Sequence, residues 1–226
     1  MYVICKKGDN MSCSINLKKV SYETTKEIFK DVTLNVSHEE KVAIVGANGS
    51  GKSSLLKIVA GLIKQKEGGV FLFHNEMKKI NDFKEFRSDI GYLPQDVSDH
   101  FLCPTVIEDV MFALRAKGVK KDESYAKSCA ILEQLEILHL ENRNIYDLSG
   151  GEQKIIALAG ILITEPKILL LDEPTNALDE DAEEKIIKIL NSIKKSMIIV
   201  SHHKTFIEKL APTIYRLTSQ GLEKTN

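Results

Sequence analysis

Eight residues, Gly46-Ala47-Asn48-Gly49-Ser50-Gly51-Lys52-Ser53, constrain this chain more than any others. They fit the spacing G-x-x-x-x-G-K-[ST], which belongs between a buried strand and the first turn of a helix. Both neighbours can be read from the sequence. Val42-Ala43-Ile44-Val45 is apolar on successive positions, the pattern of a strand covered on both faces, and Leu55, Leu56, Val59 and Leu62 then recur at spacings of three and four. Glycines let backbone N–H groups curl around phosphate oxygens, and the helix start adds partial positive charge. Lys52 is placed to neutralise β- and γ-phosphates, Ser53 to offer its hydroxyl to Mg²⁺, and Ser54 falls in the same first turn.

Two further apolar runs, Ile168-Leu169-Leu170-Leu171 and Met197-Ile198-Ile199-Val200, carry the same strand character. Ile186, Ile187, Leu190 and Ile193 supply a helical period between them, so strand and helix alternate as in a parallel α/β sheet. Asp172-Glu173 then stands at the carboxyl edge of that sheet, where ligands of such sheets bind. Asp172 suits Mg²⁺, and Glu173 suits an attacking water. Alternation in Ile15 to Val36 (Leu17, Val20, Tyr22, then Val32, Leu34, Val36) predicts antiparallel strands beside the parallel core. Lys64 to Gly69 reads as a polar loop ending in a Gly-Gly turn. Between Gln95 and Asp147 the pattern turns helical, with Val110, Leu114, Ile131, Leu135 and Leu138 expected to be buried. The expectation is one α/β domain over residues 15–219: a mainly parallel P-loop core, an N-terminal antiparallel β subdomain and a helical insertion at about 96–160.

Charge and composition narrow the partners. The 226 residues carry 31 basic and 32 acidic side chains mixed along the chain, a net charge of −1, so no excess of positive charge draws it to nucleic acid. No stretch approaches 18 uninterrupted apolar residues, and Met1 to Asn16 has no charged region followed by an apolar block. The expectation is a soluble, cytoplasmic chain that reaches a membrane only through a protein partner. Cys5, Cys13, Cys103 and Cys129 form no C-x-x-C pair and read as reduced, space-filling thiols.

A P-loop and an Asp-Glu pair alone fit kinases, GTPases and helicases equally well. Leu148-Ser149-Gly150-Gly151-Glu152 chooses among them, because it resembles the signature sequence of ABC ATPases and lies ahead of Asp172 at that family's distance. Ser149, Gly150 and Gly151 would form a second phosphate-binding helix start, with a hydroxyl and bare N–H groups facing outward. The resemblance implies a head-to-tail dimer, with itself or with a paralogue, in which residues 148–152 of one cassette close over ATP held by the P-loop of the other. It also implies roles for Tyr22 (stacking on adenine), Gln95 (sensing Mg²⁺ and the γ-phosphate), Asn176-Ala177-Leu178-Asp179 (crossing between cassettes) and His202 (contacting the γ-phosphate). Taken singly, Tyr22 is an amphipathic strand residue, Gln95 a surface amide and His202 a strand-end cap, and His203 offers a competing register. The catalytic group so assembled is Glu173, His202, Lys52 and Gln95, with Ser53, Gln95 and Asp172 on the metal. The likeness spans about Ile15 to Leu217, with one departure: Ile155 stands where the family usually has arginine.

Within the family, residues 101–110 (Phe101 to Val110, containing Pro-Thr-Val-Ile-Glu-Asp-Val) and 157–162 look like the cobalt/nickel and vitamin importers of the energy-coupling-factor group. That likeness implies a transmembrane partner docked near Gln95, with Phe101, Leu102 and Phe112 either lining the groove or serving as plain core. An exporter subunit and a soluble ATP-driven switch are the alternatives.

Overall fold

The computed structural model describes residues 13–176 and 178–225, so Cys5 and Ala177 lie outside the described residues. The expected antiparallel strands are present as β1 (Cys13–Glu23) and β2 (Glu27–Ser37). With β4 (Glu67–Leu72) and β5 (Asn75–Glu76) they make a four-stranded sheet in the order β2-β1-β4-β5. A second sheet has the order β10-β9-β3-β8-β7-β6. Its strands are β3 (Lys41–Val45), β6 (Ile90–Leu93), β7 (Ile168–Asp172), β8 (Ser196–Val200), β9 (Thr213–Thr218) and β10 (Gly221–Lys224). All its pairs are parallel except β9 with β10.

Side chains alternate across a strand, so the apolar runs of β7 and β8 feed two cores at once. Ile168, Leu170, Ile198 and Val200 pack with Leu17, Val32 and Leu34 of the antiparallel sheet and with Leu55 and Leu56 of α1 (Lys52–Val59). Leu169, Leu171, Met197 and Ile199 face the other way, into the core formed with α2 (Val106–Ala116), α3 (Lys121–Gln134), α4 (Gly150–Leu162) and α5 (Glu180–Ser192). Every one of these strand side chains is shut off from solvent, and each contributes on the order of 1.5–3 kcal/mol by burial. The last helix, α6 (Lys204–Leu210), precedes β9. Among the described residues no helix is long and apolar enough to cross a membrane, and none of Cys13, Cys103 and Cys129 is in a disulfide.

Three expectations need correction. Leu62 does not belong to the buried face of α1: the helix ends at Val59 and Leu62 is 56% exposed. In α3 the inward stripe is Ser124, Ser128 and Leu132, four residues apart, so Ile131 is only partly buried, as is Leu138 beyond the helix. Two small hydroxyl residues let α3 pack closely, and a search for apolar period misses them.

The Gly-Gly pair at 68–69 is no turn but part of β4. Gly68 has φ +84, and a Cβ there would lie 2.2 Å from the Lys19 carbonyl oxygen of β1. The β1–β4 register shifts between Lys18 and Ser21 at this point, and the Lys66 N–H donates to the Ser21 carbonyl at 2.8 Å just beyond it. The glycine is therefore the close-approach residue of a β-bulge. Gly68→Ala should lower stability by about 2 kcal/mol or more, from left-handed strain plus backbone collision. Urea denaturation of the full chain measures it, and a loss under about 0.5 kcal/mol would contradict this account of the bulge.

Candidate nucleotide site

The phosphate loop runs from the end of β3 to the start of α1. Gly51 caps α1 with φ +93, and a Cβ on it would lie within 3 Å of Ile28 and Phe29 carbons of β2. Only glycine lets the chain turn here with the antiparallel sheet pressed against it. Lys52, buried, donates through Nζ to the Gly46 carbonyl at 2.9 Å and the Ala47 carbonyl at 3.0 Å. Its ammonium thus lies across its own loop with donor capacity to spare. Burial pulls its pKa down, opposed by the charges of Glu173 and Asp172.

Asp172 closes β7 and is 2% exposed. Burial pushes its carboxyl up from the usual range, against a hydrogen bond with Ser53 and the charges of Lys57, Lys154 and Lys52. Its Oδ1 is buried without a hydrogen-bond partner. Glu173 follows with φ +48, unusual for a residue that is not glycine. Its N–H donates to the Val200 carbonyl at 2.8 Å, which clips the residue to the end of β8. Its Oε2 accepts from the His202 N–H at 3.3 Å, while Oε1 is buried, unbonded and 3.4 Å from His202 Nε2.

A cavity of about 580 Å³ gathers Tyr22, Asn48, Gly49, Gly51, Lys52, Ser53, Ser54, Gln95, Asp172, Glu173 and His202. Gly46, Ala47 and Ser50 complete the loop beside it. Thr24, Ile28, Asn176 and Val200 also line it; nothing in the type or spacing of Thr24 and Ile28 singles them out in the sequence. Of the two histidines, His202 faces this cavity, and His203 turns to Glu183, with Nδ1 2.6 Å from its carboxylate.

Ser149, Gly150, Gly151, Glu152 and Asp179 stand apart from this cavity. Gly150 heads α4, and the Ser149 hydroxyl does not point freely outward as expected. It donates to Glu152 Oε2 at 2.7 Å and accepts from the Glu152 N–H at 3.3 Å, while the Ser149 N–H also donates to that carboxylate at 2.8 Å. This is a capping box, and those bonds hold the Glu152 carboxyl below its ordinary pKa. Asp179 caps α5 by accepting from the Ala182 N–H at 2.8 Å. Ile155 lies in the apolar core. Next to it, the buried Lys154 donates to the Gln95 and Glu173 carbonyls, a contact that sequence reading missed.

The donors present fit a hard divalent cation. Among the described residues no cluster of three acidic, histidine or cysteine side chains forms a closed metal cage. One orphaned carboxylate oxygen on Asp172 beside the Ser53 hydroxyl instead suits an ion that completes its shell with phosphate oxygens and water. Without such an ion, the buried carboxylate is a cost. The native state binds a proton at Asp172 more tightly than the unfolded chain does, so this group's contribution to stability falls as pH rises through its raised folded pKa. Asp172→Asn should therefore stabilise the nucleotide-free chain at neutral pH by about 1 kcal/mol, roughly 2–4 °C in Tm. The gain should shrink as pH falls below that folded value. Thermal melts across pH measure this, and a destabilised Asn variant at neutral pH would refute it.

The family described as ABC transporter matches residues 29–176. An ABC transporter ATP-binding protein of Brucella suis is 37% identical over 197 residues, 87% of this chain and 82% of that one. An uncharacterized ABC transporter ATP-binding protein of Haemophilus influenzae is 37% identical over 84% of this chain and 88% of its own length. Among solved structures, cbiO1 from Clostridium perfringens, part of the ABC transporter complex cbiONQ, superimposes with TM-score 0.83 at 26% identity, covering 94% of this chain and 87% of that one. A bacterial ABC transporter cassette solved as a dimer reaches TM-score 0.84 at 29% identity over 94% and 99% of the two chains, and it is also known in a post-hydrolysis state bound to ADP and Pi. The phosphate loop, the Asp-Glu strand end and a separate signature helix thus sit in the fold of these proteins, and the chain belongs to the ABC transporter family as an ATP-binding, ATP-hydrolysing subunit.

Proposed function

We propose that this cassette powers import of a small solute, a transition-metal ion such as cobalt or nickel or a vitamin, through a membrane partner. The reading rests most on one observation: the phosphate loop and both strand-end carboxylates share one cavity, whereas the signature helix start opens elsewhere. A single chain then holds half of each of two nucleotide sites, and a second cassette, identical or paralogous, is needed to complete them.

In the hydrolytic site Lys52 leaves the Gly46 and Ala47 carbonyls for the β- and γ-phosphate oxygens, with loop N–H groups around them. Tyr22 offers a ring to the base. Glu173, its Oε1 unbonded, orients a water in line with the γ-phosphoryl group and accepts its proton, and His202 beside it holds that arrangement. Bound Mg²⁺, held by Ser53, Asp172 and Gln95, would add positive charge where the phosphoryl group develops negative charge. The partner's copy of Ser149, Gly150 and Gly151 supplies further donors.

For the membrane side, a groove of about 210 Å³ lies between β6 and the helices α2 and α4. Leu102 (68% exposed) and Phe112 (44% exposed) stand on its rim, while Phe101 is buried in the core at its floor. Such a groove suits a short helix of a transmembrane subunit, which would place the chain on the cytoplasmic face of the membrane. The importer assignment draws on the likeness of residues 101–110 and 157–162 to energy-coupling-factor ATPases, together with the similarity to a cbiONQ component.

Glu173→Gln should bind ATP and lose about 100-fold or more of its turnover, leaving a closed dimer visible by gel filtration with ATP. Pulled from gently solubilised membranes of its own cell, that variant should bring a multi-spanning protein and a small substrate-binding membrane subunit. Recovery of exporter-type membrane domains, or of soluble proteins alone, would overturn the importer assignment.

A further inference from the structure

Lys154 is a buried lysine that the nucleotide chemistry leaves unexplained. It lies on α4 five residues after Ser149 and is 3% exposed, among Ile155, Ile156 and Leu158. A lysine amine in such a place loses its hydration, and burial lowers its pKa, opposed by the charges of Asp172, Glu173 and Asp96. Packing alone asks for a methionine or leucine here. What the amine does is donate 2.8 Å hydrogen bonds to two main-chain carbonyls, those of Gln95 and Glu173.

Those two carbonyls belong to separate segments. Gln95 follows β6, and Glu173 follows β7 with its backbone in the left-handed region at φ +48. A non-glycine residue keeps such a conformation only when its surroundings fix it. The Glu173 N–H is fixed by the Val200 carbonyl, and its C=O accepts from Lys154 at 2.8 Å and from the Asn176 N–H at 3.2 Å. The carboxylate direction depends on that backbone, because a small rotation of the peptide swings the side chain away from the cavity.

We propose that Lys154 is a positioning residue, a buried clamp that ties the signature helix to the backbones of Gln95 and Glu173 and so aims the Glu173 carboxylate at the nucleotide. The proposal rests on the reading of Glu173 as the group that activates water. It also gives the signature helix a route inward: α4 is rigid over the turn that joins Ser149 to Lys154, so a displacement of its start by a nucleotide on the partner cassette is carried to the Nζ atom. Each nucleotide then reports its presence to the hydrolytic glutamate of the opposite site.

The test uses the purified full chain with ATP and Mg²⁺, comparing wild type with Lys154→Met, Lys154→Gln and, alongside, Glu173→Gln. Methionine fills the space without a donor, and glutamine keeps an N–H₂ group. The expected result is a loss of about tenfold or more in kcat for Lys154→Met, with KM for ATP within twofold and a Tm lowered by the loss of the donor to two carbonyls. Lys154→Gln should recover at least about threefold over the methionine variant, because it restores a donor. Unchanged kcat in Lys154→Met overturns the proposal, as does a loss of kcat with no recovery in Lys154→Gln. If instead Glu173→Gln keeps its turnover, it is the role of Glu173 that fails, and the Lys154 results then show no selective effect on kcat.

Discussion

The molecule depends on a sheet that is apolar on both faces. Because β7 and β8 bury every side chain, polar groups are confined to strand ends. Register then decides which ends meet. Asp172 pairs with Val200, and Ile44 of β3 also lies level with Val200, so the three strands leave the sheet at one height. The phosphate loop, the Asp172-Glu173 pair and the Ser201-His202 exit are therefore neighbours without any contact between them having to be selected first. The same two-sided burial supplies rigidity, since each face belongs to a different core and neither can shift without opening the other.

Against that apolar background the charges at the edge are few and closely matched. Lys52 and Lys154 approach the Asp172-Glu173 pair from α1 and α4, and each amine is spread over two main-chain carbonyls. The roles differ because the carbonyls differ. Lys52 bonds the loop that, on the proposed function, receives phosphate, and there its bonds would be exchanged for better ones to an anion. Lys154 bonds the backbones that carry Gln95 and Glu173, where no ligand competes. Burial pushes Asp172 toward its neutral form and both lysines toward theirs.

Much of this was legible in the sequence because it rests on short-range rules. The phosphate loop, the strands on either side of Asp172 and Ser201, and the antiparallel hairpin of β1 and β2 follow from local pattern, and the signature marked the family. What escaped notice depends on contacts distant in sequence. Gly68 reads as a turn until Lys19 is seen packed against it. Ser124 and Ser128 escape a search for apolar period, and β9 has no clean apolar run to announce it. Lys154 is one charge in a chain with 31 basic side chains, and only the fold reveals which two carbonyls it serves. Ile155, a departure from the family's pattern, proves to be apolar core, with the polar contact at this point of the helix made by its neighbour.

The signature helix start carries a tension of its own. A helix N-terminus attracts anions, and at Ser149 that place is already taken by the Glu152 carboxylate, bonded to both the hydroxyl and the N–H of Ser149. On the proposed dimer, a phosphate of the partner cassette would compete with this carboxylate for the Ser149 hydroxyl and be repelled by its charge. The capping box satisfies the Ser149 hydroxyl, the Ser149 N–H and the Glu152 N–H within the chain and leaves the Gly150 and Gly151 N–H groups outside its bonds. On that reading, closure of two cassettes would gain at the Ser149 hydroxyl only the difference between two anions. A modest difference would suit the proposed cycle of closing and reopening, because a signature that held phosphate without competition would resist release after hydrolysis.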